Sequence, residues 1–171
     1  MRKQMKNQGV IWVIVMLVMF LIGTSVLLYQ EHEADKRAFQ TLLNRVYMEV
    51  DSSLHTLSLI SENSEADDAY LERLFIDLEV RLNNITTLLA FADRTVEDTN
   101  FPSADFARIA AYTSVEEYGE EAYVNRVQEL LTHIKEAMYS EEQNQEDPSL
   151  TPEAFNTIIE DATDQAREYF N

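Results

Sequence analysis

"LERLFIDLEVRLNNITTLLAFA", residues 71–92, places apolar side chains at Leu71, Leu74, Leu78, Leu82, Ile85, Leu89 and Ala92. The steps between them are 3, 4, 4, 3, 4 and 3. A helix turns about 100° per residue, so these seven positions fall on one face as a continuous seam. No Gly or Pro interrupts the stretch. A heptad-like seam of this kind suits packing against other helices. The expected fold is therefore all-α.

Working towards the N-terminus, the same periodicity recurs. No Gly or Pro occurs between Ala34 and Ile60, and Phe39, Leu43, Val46, Val50, Leu54 and Leu57 keep one helical face apolar. "SENSEADDA", residues 61–69, separates this helix from the next, and Asp67 or Asp68 is available as its N-cap. Towards the C-terminus, "DRTVEDTNFPSADF" breaks the seam. Pro102 lacks a backbone donor and disfavours helix at Phe101, whereas Ser103 can cap a short helix holding Phe106, Ile109 and Ala110. A third long helix is expected from the Ser114/Glu117 capping box, with Tyr123, Val127, Leu130, Leu131, Ile134 and Met138 as its core stripe. Gly119 interrupts its first turns, where a bend or a close packing contact is expected. After the polar linker "SEEQNQEDPS", Thr151 is the expected N-cap and Pro152 the first helical residue of a last helix. Leu150 and Phe155 are placed to staple its entry, and Phe155, Ile158, Ile159, Ala162, Ala166 and Tyr169 form its apolar stripe. Four long helices and one short one predict a four-helix-bundle-like domain.

Upstream of all this lies an apolar run, residues 10–29, with no charged side chain. Twenty residues make about 30 Å of helix, the thickness of a bilayer's hydrocarbon core. Gly23 and Ser25 stand at small-x-small spacing, yet Val26, Leu27, Leu28 and Tyr29 carry the apolar stretch past the point where a cleaved signal turns polar. Trp12 and Tyr29 lie near the two ends, where interfacial aromatics are favoured. The run is read as a retained single-pass anchor that contacts the lipid bilayer and continues into the first bundle helix. Residues 1–9 then form a short basic tail and residues 30–171 the bundle domain. Arg2, Lys3 and Lys6 before the run, against Lys36 and Arg37 after it, favour a cytoplasmic N-terminus and an extracytoplasmic domain.

"KNQGVIWVIVMLV", residues 6–18, resembles the start of a type IV prepilin: a basic leader, a Gly before the cut, then an apolar helix. The resemblance implies processing before Val10 and a filament subunit. Most such proteins carry Glu five residues after the cut, and here that residue is Ile14. Their C-terminal parts also fold around a β-sheet, which this periodicity does not suggest.

Charge and composition limit the chemistry. All 31 acidic residues of the 171-residue chain lie from Glu31 onward, against ten basic ones, so the downstream part carries −21. Such a surface repels phosphate backbones, and nucleic acid is excluded as the expected partner. The chain has no cysteine, hence no disulfide, thiolate nucleophile or Cys-ligated metal. None of the three histidines has the Glu-x-x-His spacing of di-metal bundles. The nearest groupings, Asp51 with His55 and Glu129 with His133 and Glu136, fall off the apolar stripes and are expected to face solvent. His32, between Glu31 and Glu33, shares a helical face with neither neighbour. The three glycines are isolated, so no phosphate loop is present, and no nucleophile elbow is found.

No cofactor, metal site or catalytic residue is expected. The reading is a non-catalytic, membrane-anchored interaction module of the cell envelope, whose partner is another envelope or membrane protein. A carboxylate-rich metal-binding bundle and a processed pilin-like subunit are the alternatives. Candidate partner-binding residues are Phe101, Phe106, Tyr112 and Tyr118, aromatics clustered around the helix break. They equally suit filling the irregular junction between helices. Self-association through the 71–92 seam is open wherever the bundle does not bury it.

Overall fold

The computed structural model describes the backbone of residues 2–63, 65–95, 103–104, 106–107 and 121–169. Side chains are described at 12, 16–63, 65–93, 103–104, 106–107 and 123–164. Among the described residues there are four long helices: α1 (Arg2–Glu62), α2 (Asp68–Thr95), α3 (Glu121–Met138) and α4 (Pro152–Tyr169). The chain divides into two compact units, Met1–Ala38 and Phe39–Asn171. The second is the helical bundle. Residues 30–38, assigned from sequence to the bundle domain, group with the first unit.

The core is assembled from the stripes that the periodicity marks. α1 contributes Phe39, Leu43, Val46, Val50 and Leu57, all buried, with Leu54 packed against them. α2 contributes Leu78, Leu82, Ile85, Leu89 and Ala92, and the six expected positions of α3 are all buried. α4 adds Phe155, Ile159 and Ala162, while Ala166 and Tyr169 lie outside the described side chains. The Phe39 and Phe155 rings meet edge to face at a centroid distance of 6.1 Å, joining α1 to α4. The seam of α2 is thus buried in the chain's own core from Leu78 to Ala92, with Leu74 packed against it and Leu71 half-buried.

Caps fix the helix ends. The Asp67 carboxylate accepts from the Tyr70 N–H at 2.9 Å, so Asp67 rather than Asp68 caps α2. At α4 the Ala154 N–H donates to Thr151 Oγ1 at 3.2 Å, and Leu150 packs on the cluster that holds Phe155. The Ser114/Glu117 box and Gly119 lie outside the described residues. The short helix is seen in part: Ser103, Ala104, Phe106 and Ala107 are helical.

The polar linker after α3 proves to be a small hairpin. β1 (Tyr139–Ser140) pairs antiparallel with β2 (Gln145–Glu146), Tyr139 opposite Glu146. Two local features account for it. Asn144 adopts φ 52°, a left-handed conformation that Asn tolerates better than most residues. Its Oδ1 also accepts from the Tyr139 hydroxyl at 2.8 Å. No alternating apolar pattern marks strands this short, so hydrophobic periodicity could not reveal them.

Among the described residues no helix is long and apolar enough to cross a membrane. The expected anchor, residues 10–29, includes Val10, Ile11, Val13, Ile14 and Val15, whose side chains lie outside the described residues.

Candidate interaction surfaces

Two surfaces stand out, one on each unit. In the first unit, the described apolar side chains of α1 have no protein cover. Met16, Phe20, Leu27 and Tyr29 are each about two-thirds exposed, and Leu17, Val18, Leu21, Ile22 and Val26 are exposed too. These residues point in all directions round the helix, unlike the single stripe of an amphipathic helix. Thr24, the one hydroxyl partly hidden among them, donates back to the carbonyls of Phe20 and Leu21 at 3.1 and 3.0 Å. Its polar group is satisfied without water.

In the second unit, α1 and α2 enclose a shallow groove of about 430 Å³. Arg45, Met48, Glu49 and Ser52 line it from α1, and Arg81, Asn84, Thr87 and Leu88 from α2. A polar network forms one wall. Arg81 Nε donates to Asp77 Oδ2 at 2.7 Å, the same oxygen accepts from Thr56 Oγ1 at 2.9 Å, and Arg81 Nη1 lies 3.8 Å from Glu49 Oε2. Partial burial pulls the Asp77 carboxyl upward, but the hydrogen bonds from Arg81 and Thr56 together outweigh it and hold Asp77 below its ordinary range. The Thr56 side chain is buried, so its hydroxyl depends on this partner and on the Ser52 carbonyl.

A second cluster lies where α1 meets α3 and the hairpin. Lys135 Nζ donates to Asp51 Oδ1 at 2.5 Å, and Asn44 donates to Glu146 at 2.8 Å. The hydrogen bond to Asp51 raises the Lys135 pKa. Burial, with Asp51, Tyr139 and Glu146 nearby, raises that of Tyr47 despite the opposing charge of Lys135. These contacts fasten α1 to α3 and to the hairpin.

Of the four aromatics proposed as partner contacts, Phe106 is fully buried in the core cluster. Phe101, Tyr112 and Tyr118 lie outside the described residues. His32, His55 and His133 are exposed, as are Glu129 and Glu136, and Asp51 is engaged by Lys135. Among the described residues no three acidic or histidine side chains gather into a metal site.

What sequence reading passed over is the far side of α2. Ile76, Val80 and Phe91 are exposed, opposite the buried seam, and Met48 of α1 is exposed beside the groove. The signal was present as a second apolar series, Ile76, Val80 and Phe91, out of phase with the first.

Comparison with protein-family models, curated proteins and solved structures finds no match to this chain.

Proposed function

We propose that the chain is a non-catalytic interaction module of the cell envelope, held at the membrane by residues 10–29. The N-terminus is cytoplasmic and the acidic bundle faces outward. The observation that supports this reading is the surface of α1 in the first unit, exposed at every residue from Met16 to Tyr29 except Thr24 and apolar at all but Gly23, Thr24 and Ser25. Water solvates such a surface poorly, whereas acyl chains match it. The internal hydrogen bonds of Thr24 fit the same environment. The bundle offers helix faces and a shallow groove for protein contact, and its polar clusters join helices.

The test is alkaline carbonate extraction of membranes, followed by protease treatment of intact cells carrying a C-terminal tag. Retention in the pellet, loss of the tag and survival of a protected fragment of roughly 30 residues are expected. Extraction into the supernatant overturns the anchor, and a protected tag overturns the orientation. A mature N-terminus at Val10 would replace this reading with that of a processed, pilin-like subunit.

A further inference from the structure

We infer that the groove between α1 and α2 takes an apolar, carboxylate-bearing segment of a partner polypeptide, with Arg45 receiving the carboxylate. The inference rests on the interaction-module reading and names the chemistry of its partner. It uses residues of the second unit alone and does not depend on the anchor.

Hydrogen-bonding capacity supplies the first observation. Arginine carries five N–H donors and no acceptor. Arg45 lines the groove and is exposed, and none of the described residues accepts from it. Arg81 uses one donor, Nε, on Asp77, and its Nη1 stops 3.8 Å from Glu49 Oε2, beyond hydrogen-bond reach. The Ser52 hydroxyl also has no acceptor among the described residues. Acceptors in the lining are scarcer, and the Glu49 carboxylate already receives Asn84 Nδ2 at 3.3 Å. The groove therefore has donors to spare. Its complement is a group that only accepts, which among side chains is an ionised carboxylate.

Charge supplies the second observation and limits the occupant. From Glu31 onward the chain bears −21, yet here Arg45 and Arg81 stand against Glu49 and Asp77, a balance of zero. Both carboxylates lie against Arg81, so Arg45 is the charge left without a counter-ion. One carboxylate completes it. Further negative charge would meet only the surrounding acidic field, which weighs against phosphate dianions and nucleic acid.

Shape supplies the third. Met48, one turn on from Arg45, is 60% exposed, and Leu88 lines the groove from α2, so the cation stands beside apolar surface. Arg45 to Ser52 spans about 10 Å of helix rise, the length of about three extended residues. A shallow groove leaves one side of its occupant in water. That suits a peptide with a solvated backbone better than a small molecule, whose sites enclose most of its surface.

The test reads the groove directly. The full chain, labelled at its six methionine methyl groups and held in lipid nanodiscs, is titrated with a capped tripeptide of phenylalanine, glutamate and leucine. Glutamine and lysine versions of the peptide are titrated in parallel, and M48L assigns the Met48 signal. A saturable shift of Met48 is expected, with a Kd on the order of 1 mM and about fivefold weaker binding of the glutamine peptide. R45Q should erase that preference and R45E should turn it towards the lysine peptide, both with unchanged helical circular dichroism. No response at Met48, equal responses to the glutamate and lysine peptides, a preference that survives R45Q, or equal movement of Met16 and Met19 would each overturn the inference. If 3-phenylpropionate moves Met48 as strongly as the peptide, a small carboxylate replaces the polypeptide and the inference is likewise overturned. Failure of the anchor shows separately, as protein in the carbonate supernatant with the Met48 response intact.

Discussion

Asp77 concentrates the polar chemistry between α1 and α2, because one carboxylate oxygen serves both Thr56 and Arg81. Replacing it with Ala removes an acceptor from a buried hydroxyl and a half-buried guanidinium. The expected loss is about 1–2 kcal/mol, read from urea unfolding. The sign of its pH dependence follows from its lowered pKa. Stability from Asp77 is present above the unfolded carboxyl pKa of about 3.9 and is lost as pH falls through the lower folded value. The Ala variant should show a shallower acid decline than the parent. Lys135 and Tyr47 act at the other end of the scale, since both pKa values are raised. Their contribution is present below the unfolded values, near about 10, and fades as pH rises through the folded ones. Lys135 and Asp51 are partly solvent-screened, so the pair contributes less than about 1 kcal/mol. In a Y47F background, which removes the second titrating group, a K135M variant should flatten the alkaline limb of a stability–pH curve.

Helix ends and the hairpin show how local sequence sets element boundaries. Thr151 was legible as a cap because Pro152 follows it and Leu150 and Phe155 flank it. Thr151→Ala should cost about 1 kcal/mol, measured as a lowered urea midpoint with unchanged slope. The hairpin was not legible, because its order depends on the backbone of Asn144 and on the Tyr139 hydroxyl. A β-branched residue is strained at that positive φ, so Asn144→Val should destabilise by at least about 1 kcal/mol. Asn144→Gly should cost less, since it loses the side-chain bond but not the conformation. Comparing the two melts separates backbone strain from the hydrogen bond.

For the whole molecule, the bundle depends on aromatic and aliphatic packing across all its helices. Phe155 is fully buried and meets Phe39 of α1, joining the last helix to the first. Phe155→Ala should cost about 3–5 kcal/mol, a large share of the typical 5–15 kcal/mol of a domain. The expected readout is loss of cooperative unfolding, with partial retention of helical signal. The apolar surface of the first unit calls for separate handling. Removing residues 2–29 should release the remaining chain from membranes while leaving the urea midpoint of the bundle unchanged.

Periodicity by itself determined the all-α class, the four long helices and nearly all of their core faces, because amphipathic spacing is a local consequence of helix geometry. It also exposed the apolar run and the charge asymmetry, which depend on composition alone. Tertiary structure decided the rest. Asp67 was chosen over Asp68 as the cap by a single hydrogen bond. Phe106 was taken into the core cluster, a matter no local spacing records. The seam of α2 was spent inside the chain, which left Ile76, Val80 and Phe91 as its outward apolar face. Which of two apolar stripes on one helix is buried depends on the number and direction of the helices packed around it, and that is settled only when the chain is folded.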